Sequence, residues 1–356
     1  LTPPVNNSAY NLTSFNEHVF LSIGKKISSV KSTEMFANSE NTTIKISGLV
    51  FDGSNLKSVS AAATYDTDIS IGLQLLAENV TVNNCVFKDI YGYGLRIHNV
   101  LNSTTTNCKF LNVGGRGATM FVQNKDFDGL GDGIYHALVK KNGSVKVINC
   151  VFKGKKMLSK RSRSAITFEY STQPYKILLS NLTISGFAKG FHIEETAPTI
   201  ININQVNLSD FNFGIANVLN DNSKVYFNSL KMYIGLNDGN DNGDALAFLN
   251  YQSRAKVYVN NSFLDYNGKK GAYQSAVGLV EVKNSIIKAN NTNFFFADGT
   301  TLFDNCTFVD FGGTGKSFFS DHKGSSYTIR NSIIKGNPKI HAEGKQIKLS
   351  IDGSVN

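Results

Sequence analysis

The chain has 356 residues, 36 Lys+Arg against 27 Asp+Glu, a formal charge of +9 and 41% apolar residues. No apolar run reaches the roughly 18 residues that a membrane-spanning helix needs, so no membrane insertion is expected. Five Pro, no Trp, 31 Gly and abundant Asn and Ser suit many short strands and tight turns rather than a helical bundle. The chain opens LTPPVNN, with neither an initiator Met nor a signal peptide, which reads as a processed or trimmed piece.

Residues 1–41 carry no repeat and are expected to form a cap or an irregular first coil over an otherwise open strand edge. From there on one phrase recurs. NCVF stands at 84–87, NCKF at 107–110, NCVF at 149–152 and NCTF at 305–308, and together these use all four cysteines. No C-x-x-C pair exists, and no His or second Cys follows at ligand distance, so zinc and disulfide frameworks are set aside. The phrase persists without cysteine as NLTI at 181–184, NSFL at 261–264 and NSII at 284–287 and 331–334. The cysteine therefore reads as a small buried filler.

With Asn204 and Asn228 as weaker members, the anchors are Asn84, 107, 149, 181, 204, 228, 261, 284, 305 and 331, and six of the nine spacings fall between 21 and 26 residues. A fixed period in this range marks a solenoid, whose units bury their apolar faces only by stacking. Runs such as KVINCVF, KILLSNLTI, KVYVNNSFL and YTIRNSII are broken every few residues by Gly, Asn, Asp or Ser, which is a strand-and-turn pattern. Asn suits a left-handed turn and, stacked coil on coil, can form an amide ladder. The fold expected is all-β: a right-handed single-stranded parallel β-helix spanning 42–356, with about 11–12 coils at ~4.8 Å each. Insertions are expected near 116–142, 153–163 and 235–244.

The Asn-anchored coils, with GYGLRIHN and KGFHIEE closing a turn, resemble the right-handed pectate-lyase-like β-helix superfamily over about residues 42–335. Within it the chain looks most like the receptor-binding depolymerase body of a bacteriophage tailspike. That resemblance implies a homotrimer that binds and cuts capsular or O-antigen polysaccharide, located outside the cell on a virion tail spike. A secreted bacterial enzyme is the alternative. The polygalacturonase signatures N-T-D, D-D, G-H-G and R-I-K are missing, with Asn240-Asp241-Asn242-Gly243-Asp244 only a loose echo of the first. Fold does not give function, so the site is argued from register.

In GLRIHN, Leu95 and Ile97 are read as inward, leaving Arg96 and His98 outward. By the same alternation Thr167 and Glu169 face out from AITFEY, and His192 and Glu194 from GFHIEE, with Glu195 close behind. GIANV, ALAFL and VGLVEV, read as the same strand of later coils, add only Glu281. Parallel stacking would bring Glu169 and Glu194 within about 5–6 Å, near the spacing of a retaining glycosidase pair. Glu169, Glu194 and His192 are thus the expected catalytic groups. Arg96, His98, Arg161, Arg163, Tyr170 and Glu195 are the expected substrate-binding groups. The basic run KGKKMLSKRSR, residues 153–163, is expected to overhang the site and steer an anionic glycan, with Tyr91, Tyr93, Phe121, Tyr170 and Tyr175 as stacking faces. No cofactor is required. Asp238, Asp241 and Asp244 could offer oxygen ligands to calcium, although the EF-hand's closing Glu is missing. Nucleic acid is not an expected partner, since no aromatic-basic recognition motif occurs.

Three classes compete. A glycoside hydrolase with paired carboxylates acting on an acidic bacterial surface glycan is the leading expectation. A uronate-specific polysaccharide lyase, with His98, Arg96 and His192 in the chemistry, is second. A non-catalytic adhesin or structural rod is third.

Overall fold

The N-C-x-F phrase is a corner that reverses the alternation of a strand. The computed structural model describes residues 16–24, 41–54, 68–90, 92–114, 131–154, 156–157, 160–194, 197, 199–211, 213–218, 222–233, 246–250, 255–265, 273–275, 278–288, 295–296, 299–311, 317–320, 326–336, 339–341 and 348–352. In the run Ser144–Gly154, Val145 and Val147 point inward, Ile148 and Asn149 do not, and Cys150 and Phe152 point inward again. Asn149 makes the flip with φ 56°, in the left-handed region that Asn tolerates. Asn84, Asn107, Asn181, Asn261, Asn284, Asn305 and Asn331 do the same, with φ between 50° and 55°. At the two weaker anchors the corner falls one residue later, on Gln205 (φ 53°) and Ser229 (φ 59°).

All described secondary structure is β, and the chain divides into two units: residues 1–176 with 182–192, and residues 177–181 with 193–356. In the first unit the strands are β1 (Asn16–Gly24), β2 (Thr43–Ser47), β3 (Val50–Asp52), β4 (Asp68–Leu76), β5 (Asn79–Asn83), β6 (Val86–Lys88), β7 (Gly92–His98), β8 (Asn102–Thr106), β9 (Lys109–Val113), β10 (Asp132–Ala137), β11 (Ser144–Gly154), β12 (Lys156–Met157) and β13 (Lys160–Glu169). β14 (Lys176–Ser185) has residues in both units, and β15 is Phe187–Glu194. Pairing is parallel between strands one repeat apart: β2–β5–β8–β11 form one ladder and β3–β6–β9–β11 another, the long β11 joining both. A separate sheet runs β1-β4-β7-β10-β13-β15. β1 pairs with β4, so residues 16–24 belong to this sheet although they lie in the stretch expected to be a cap. β10 likewise lies inside the expected insertion at 116–142, and β12 and β13 begin within the one at 153–163; residues 115–130 and 234–245 lie outside the described residues.

In the second unit, β16 (Ile200–Ser209) pairs parallel with β18 (Lys224–Tyr233), and β17 (Phe213–Val218) with β19 (Leu246–Asn250). From β18 one ladder continues through β20 (Lys256–Asn260), β23 (Gly278–Lys283) and β26 (Gly299–Asp304). A second continues through β21 (Phe263–Asp265), β24 (Ile286–Lys288) and β27 (Thr307–Phe311). Glu281 therefore sits beside Tyr258 and Leu302 in the first of these ladders, not in the sheet that carries Glu169. VGLVEV and GLRIHN belong to different sheets, a correction that apolar patterning alone could not supply, because both sequences place apolar residues at alternate positions.

Phe51, Phe87, Phe110 and Phe152 stack through the first unit with ring centroids 4.7–5.0 Å apart. All are at most 1% exposed, so each contributes a full apolar side chain to the core. The amide ladder is present: Asn107 Nδ2 donates to Asn83 Oδ1 at 3.0 Å, Asn149 to Asn107 at 3.3 Å, and Asn305 to Asn284 at 2.8 Å. The four cysteines are buried and free, but they do more than fill space. Cys108 Sγ donates to Thr106 O (3.2 Å) and accepts the Cys85 amide (3.5 Å). Ser262, Ser285 and Ser332 donate to the same carbonyl two residues back at 2.6–2.8 Å. A small donor-acceptor group suits the position after the corner, which explains why Cys and Ser interchange there, and Leu182, Val206 and Leu230 fill it with apolar side chains at the remaining corners.

Candidate active site

A second break in alternation positions the polar groups. Ile71-Gly72-Leu73, Tyr93-Gly94-Leu95, Asp132-Gly133-Ile134 and Ser164-Ala165-Ile166 occupy equivalent places on β4, β7, β10 and β13. A Cβ at Gly72, Gly94 or Gly133 would lie 2.6–2.8 Å from the carbonyl oxygen of the equivalent residue on the next strand, and against Phe87, Phe110 or Phe152. Those glycines point at the phenylalanine stack, yet the following residues, Leu73, Leu95 and Ile134, are fully buried too. The strand therefore kinks, and residues three apart such as Asp132 and Tyr135 reach the same outer face. Simple alternation would place them on opposite faces.

On that face the sheet aligns Gln74, Arg96, Tyr135 and Thr167 in one row and Leu76, His98, Ala137 and Glu169 in the next. Arg163 is the centre. One terminal nitrogen holds Asp132 Oδ2 at 3.1 Å and the other holds Glu169 Oε1. Tyr135 donates its hydroxyl to Glu169 Oε2 at 2.9 Å, and His192 Nε2 lies 3.3 Å from Glu169 Oε1. Lys189 Nζ is 3.1 Å from the other His192 nitrogen, Nδ1. An ammonium only donates, so Nδ1 accepts and a neutral His192 carries its proton on Nε2, directed at Glu169. To one side Arg96 Nε donates to His98 Nε2 at 3.0 Å, with its guanidinium 5.3 Å from the centre of the Tyr93 ring.

The electrostatics separate the two carboxyls. Burial pushes Asp132 up to about 6, with Glu169 adding to the rise against the pull of Arg163. Burial also pushes Glu169 upward, but the His192 hydrogen bond and the Arg163 charge outweigh it and bring that carboxyl down to about 2. Burial, then Arg96 and His136, hold His98 well below the ordinary histidine range. Burial and the Glu169 charge raise the Tyr135 phenol. One carboxyl is thus held ionised and its neighbour keeps a proton into the mildly acidic range, a division of labour suited to acid–base work.

Of the residues expected from sequence, Glu169, His192 and Arg163 come together here, while Arg96 and His98 form a neighbouring pair two strands away. All five are buried rather than lining a solvated stripe. Tyr170 follows β13 in the left-handed region and is exposed. Tyr93 and Tyr175 are buried at 6% and 3% exposure, which corrects the expectation that they offer open stacking faces: Tyr93 packs on Ile71 and Tyr135, and Tyr175 lies against Phe168. Arg163 is not part of a solvated loop either; the run containing it enters β13 through an antiparallel pairing of Lys156 with Arg161. The side chains of Arg161 and Glu194, and residues Tyr91, Phe121, Glu195, Asp238, Asp241 and Asp244, lie outside the described residues. Among the described residues no cluster of His, Cys, Asp and Glu is arranged to hold a metal ion, and no helix is long and apolar enough to cross a membrane.

Asp132, Tyr135 and Lys189 are the members that sequence reasoning missed. The signal was in the repeat: Asp132-Gly133-Ile134 and Lys189-Gly190-Phe191 echo Tyr93-Gly94-Leu95. No family model matches this sequence. Comparison with curated proteins and with solved structures likewise returns no match.

Proposed function

We propose that this chain is a glycoside hydrolase that cuts an acidic polysaccharide, with Glu169 as nucleophile or base and Asp132 as the general acid. The observation that carries this reading is the pair itself: two buried carboxyls on one guanidinium, with one held ionised and the other protonated to about pH 6. Carboxyls gripped by a single fork are close together, as a double displacement at ~5 Å separation needs. Glu169 would attack the anomeric carbon or activate water. Asp132 would protonate the departing glycosidic oxygen and, in the second displacement, take a proton from the water that releases the glycosyl-enzyme. His192 and Arg163 keep Glu169 ionised, and the Tyr135 hydroxyl aims it. Tyr135, Arg163 and Glu169 retain 6–8% exposure and Asp132 is fully buried, so a glycan would meet Glu169 first and Asp132 only once that edge opens. The surplus of positive charge, +9, favours an anionic chain.

The repeat period, the parallel ladders and the stacked Asn corners support a parallel β-helix; the pectate-lyase-like, trimeric tailspike-depolymerase reading and a place outside the cell are proposed with it on the resemblance alone. A lyase is the weaker alternative. Its expected base, His98, is pressed toward the neutral, weakly basic form by burial and Arg96, whereas a general base works best with a pKa near the operating pH.

The test is incubation of the purified chain with a panel of acidic bacterial polysaccharides, reading reducing ends together with the ultraviolet absorbance of unsaturated uronates. Reducing ends without absorbance are expected. Both signals rising together would replace hydrolysis by β-elimination, and binding without turnover would leave an adhesin.

A further inference from the structure

In the second unit, Ser229, Asn261 and Asn284 turn the corners of neighbouring strands with φ of 59°, 51° and 50°. The residues that follow align as Lys231, Phe263 and Ile286 in one row across β18, β21 and β24. Corner row and strand row enclose a surface groove of about 380 Å³, lined by these side chains, within the range of sites that take small ligands. It has the two halves of a saccharide site. Ile286 is 44% exposed, and Phe263 beside it has Tyr233, itself exposed, tilted against its ring at 5.4 Å. This apolar strip can lie under the C–H face of a ring. The polar half is charged on one side only. Asn261 and Asn284 spend their Nδ2 groups on Asn228 and Asn260, leaving Asn261 Oδ1 and Ser229 Oγ to meet hydroxyls. The Lys231 ammonium has no ion-pair or hydrogen-bond partner among the described residues.

We propose that this groove binds a uronate residue of an acidic glycan, with the carboxylate on Lys231, the hydroxyls on Asn261 and Ser229, and the ring face on Phe263 and Ile286. Inorganic phosphate fits the ammonium but makes no use of the apolar strip, and a fatty acid would leave the amide and hydroxyl oxygens unmatched. The inference does not depend on hydrolysis at Glu169, because the residues are different and lie in the other unit.

The experiment is an NMR titration of the whole chain with methyl glucuronide, methyl glucoside and inorganic phosphate, repeated on Lys231→Gln, Ile286→Asp and Glu169→Gln. Saturable shifts with the glucuronide are expected, weakened about ten-fold in Lys231→Gln, the size of one lost charged contact. Methyl glucoside should bind the unaltered chain about as weakly as the glucuronide binds Lys231→Gln. Ile286→Asp should abolish the shifts, and Glu169→Gln should leave them unchanged. Equal binding of glucuronide and glucoside, phosphate binding as tight as glucuronide, or no effect of Lys231→Gln would each overturn the assignment. Both altered groove residues are exposed, so a loss of binding with an unchanged amide spectrum reads the groove and not the fold.

Discussion

Asp132 and Glu169 are held by the two terminal nitrogens of one guanidinium, Arg163, although they stand on different strands and face oppositely shifted equilibria. Asp132 opens β10 and Glu169 closes β13, and with Gly133 directed at Phe152 the alternation breaks so that both carboxyls reach Arg163. Isosteric substitution separates their roles. Glu169→Gln and Asp132→Asn are each expected to lower kcat at least a hundred-fold with KM little changed, the order of effect of losing a nucleophile or a general acid. Circular dichroism should show the fold kept. Wild-type turnover in either variant would remove that residue from the mechanism.

The pH profile follows from the same pair. Glu169 must be ionised, which holds above about 2, and Asp132 must be protonated, which holds below about 6. Activity is therefore expected on an acidic plateau, with kcat/KM falling about ten-fold per pH unit above about 6 as Asp132 loses its proton. Initial rates between pH 4 and 8 (roughly the span a bell-shaped profile needs) check this. A rate that rises through neutrality would point to a different acid.

His136 governs acid stability. It is fully buried, stacks on Phe168 and bonds Ser103, and burial drives its pKa down to about 3. The folded value lies below the unfolded one, so this contribution is complete above about pH 6.5 and is lost as pH falls toward 3. Between neutral pH and about 4.5 the wild type should lose about 2–3 kcal/mol more than His136→Leu. Urea unfolding at both pH values measures the difference; equal losses would mean that His136 takes up its proton without unfolding.

The glycine column can be tested without activity. A Cβ at Gly94 would lie 2.8 Å from both Gly133 O and Phe110 Cδ1. Gly94→Ala should cost about 1–3 kcal/mol as an overpacked site and disturb Tyr93 and Arg96 on the opposite face. A variant with unchanged melting temperature would show that the kink has room to relax.

The corner thiols discriminate filling from hydrogen bonding. Cys108→Ser keeps a donor to Thr106 O and an acceptor for the Cys85 amide, and should cost less than ~1 kcal/mol. Cys108→Val keeps the volume but leaves that buried amide unpaired, for about 1–3 kcal/mol. Equal melting temperatures for the two would return the cysteine to the role of filler.

What the sequence determined by itself is what repeats locally. The period of the Asn phrase located eight of ten corners, because a left-handed residue is demanded at each and Asn is the ordinary non-glycine solution. The alternation around Leu95, Ile166 and Phe191 placed Arg96, His98, Glu169 and His192 on one face, because side chains of a strand have period two. Tertiary structure decided where that period fails. The break in alternation at Gly133 brought Asp132 to the site, and stacking brought Arg163, Tyr135 and Lys189 into contact with groups three or six residues or a whole repeat away. It also sent Glu281 to another ladder. The split between the buried Asp132 and Glu169 carboxyls, which rests on the His192 hydrogen bond and the Arg163 charge at Glu169, depends on what neighbouring strands place around them. A chain read one residue at a time carries no measure of that.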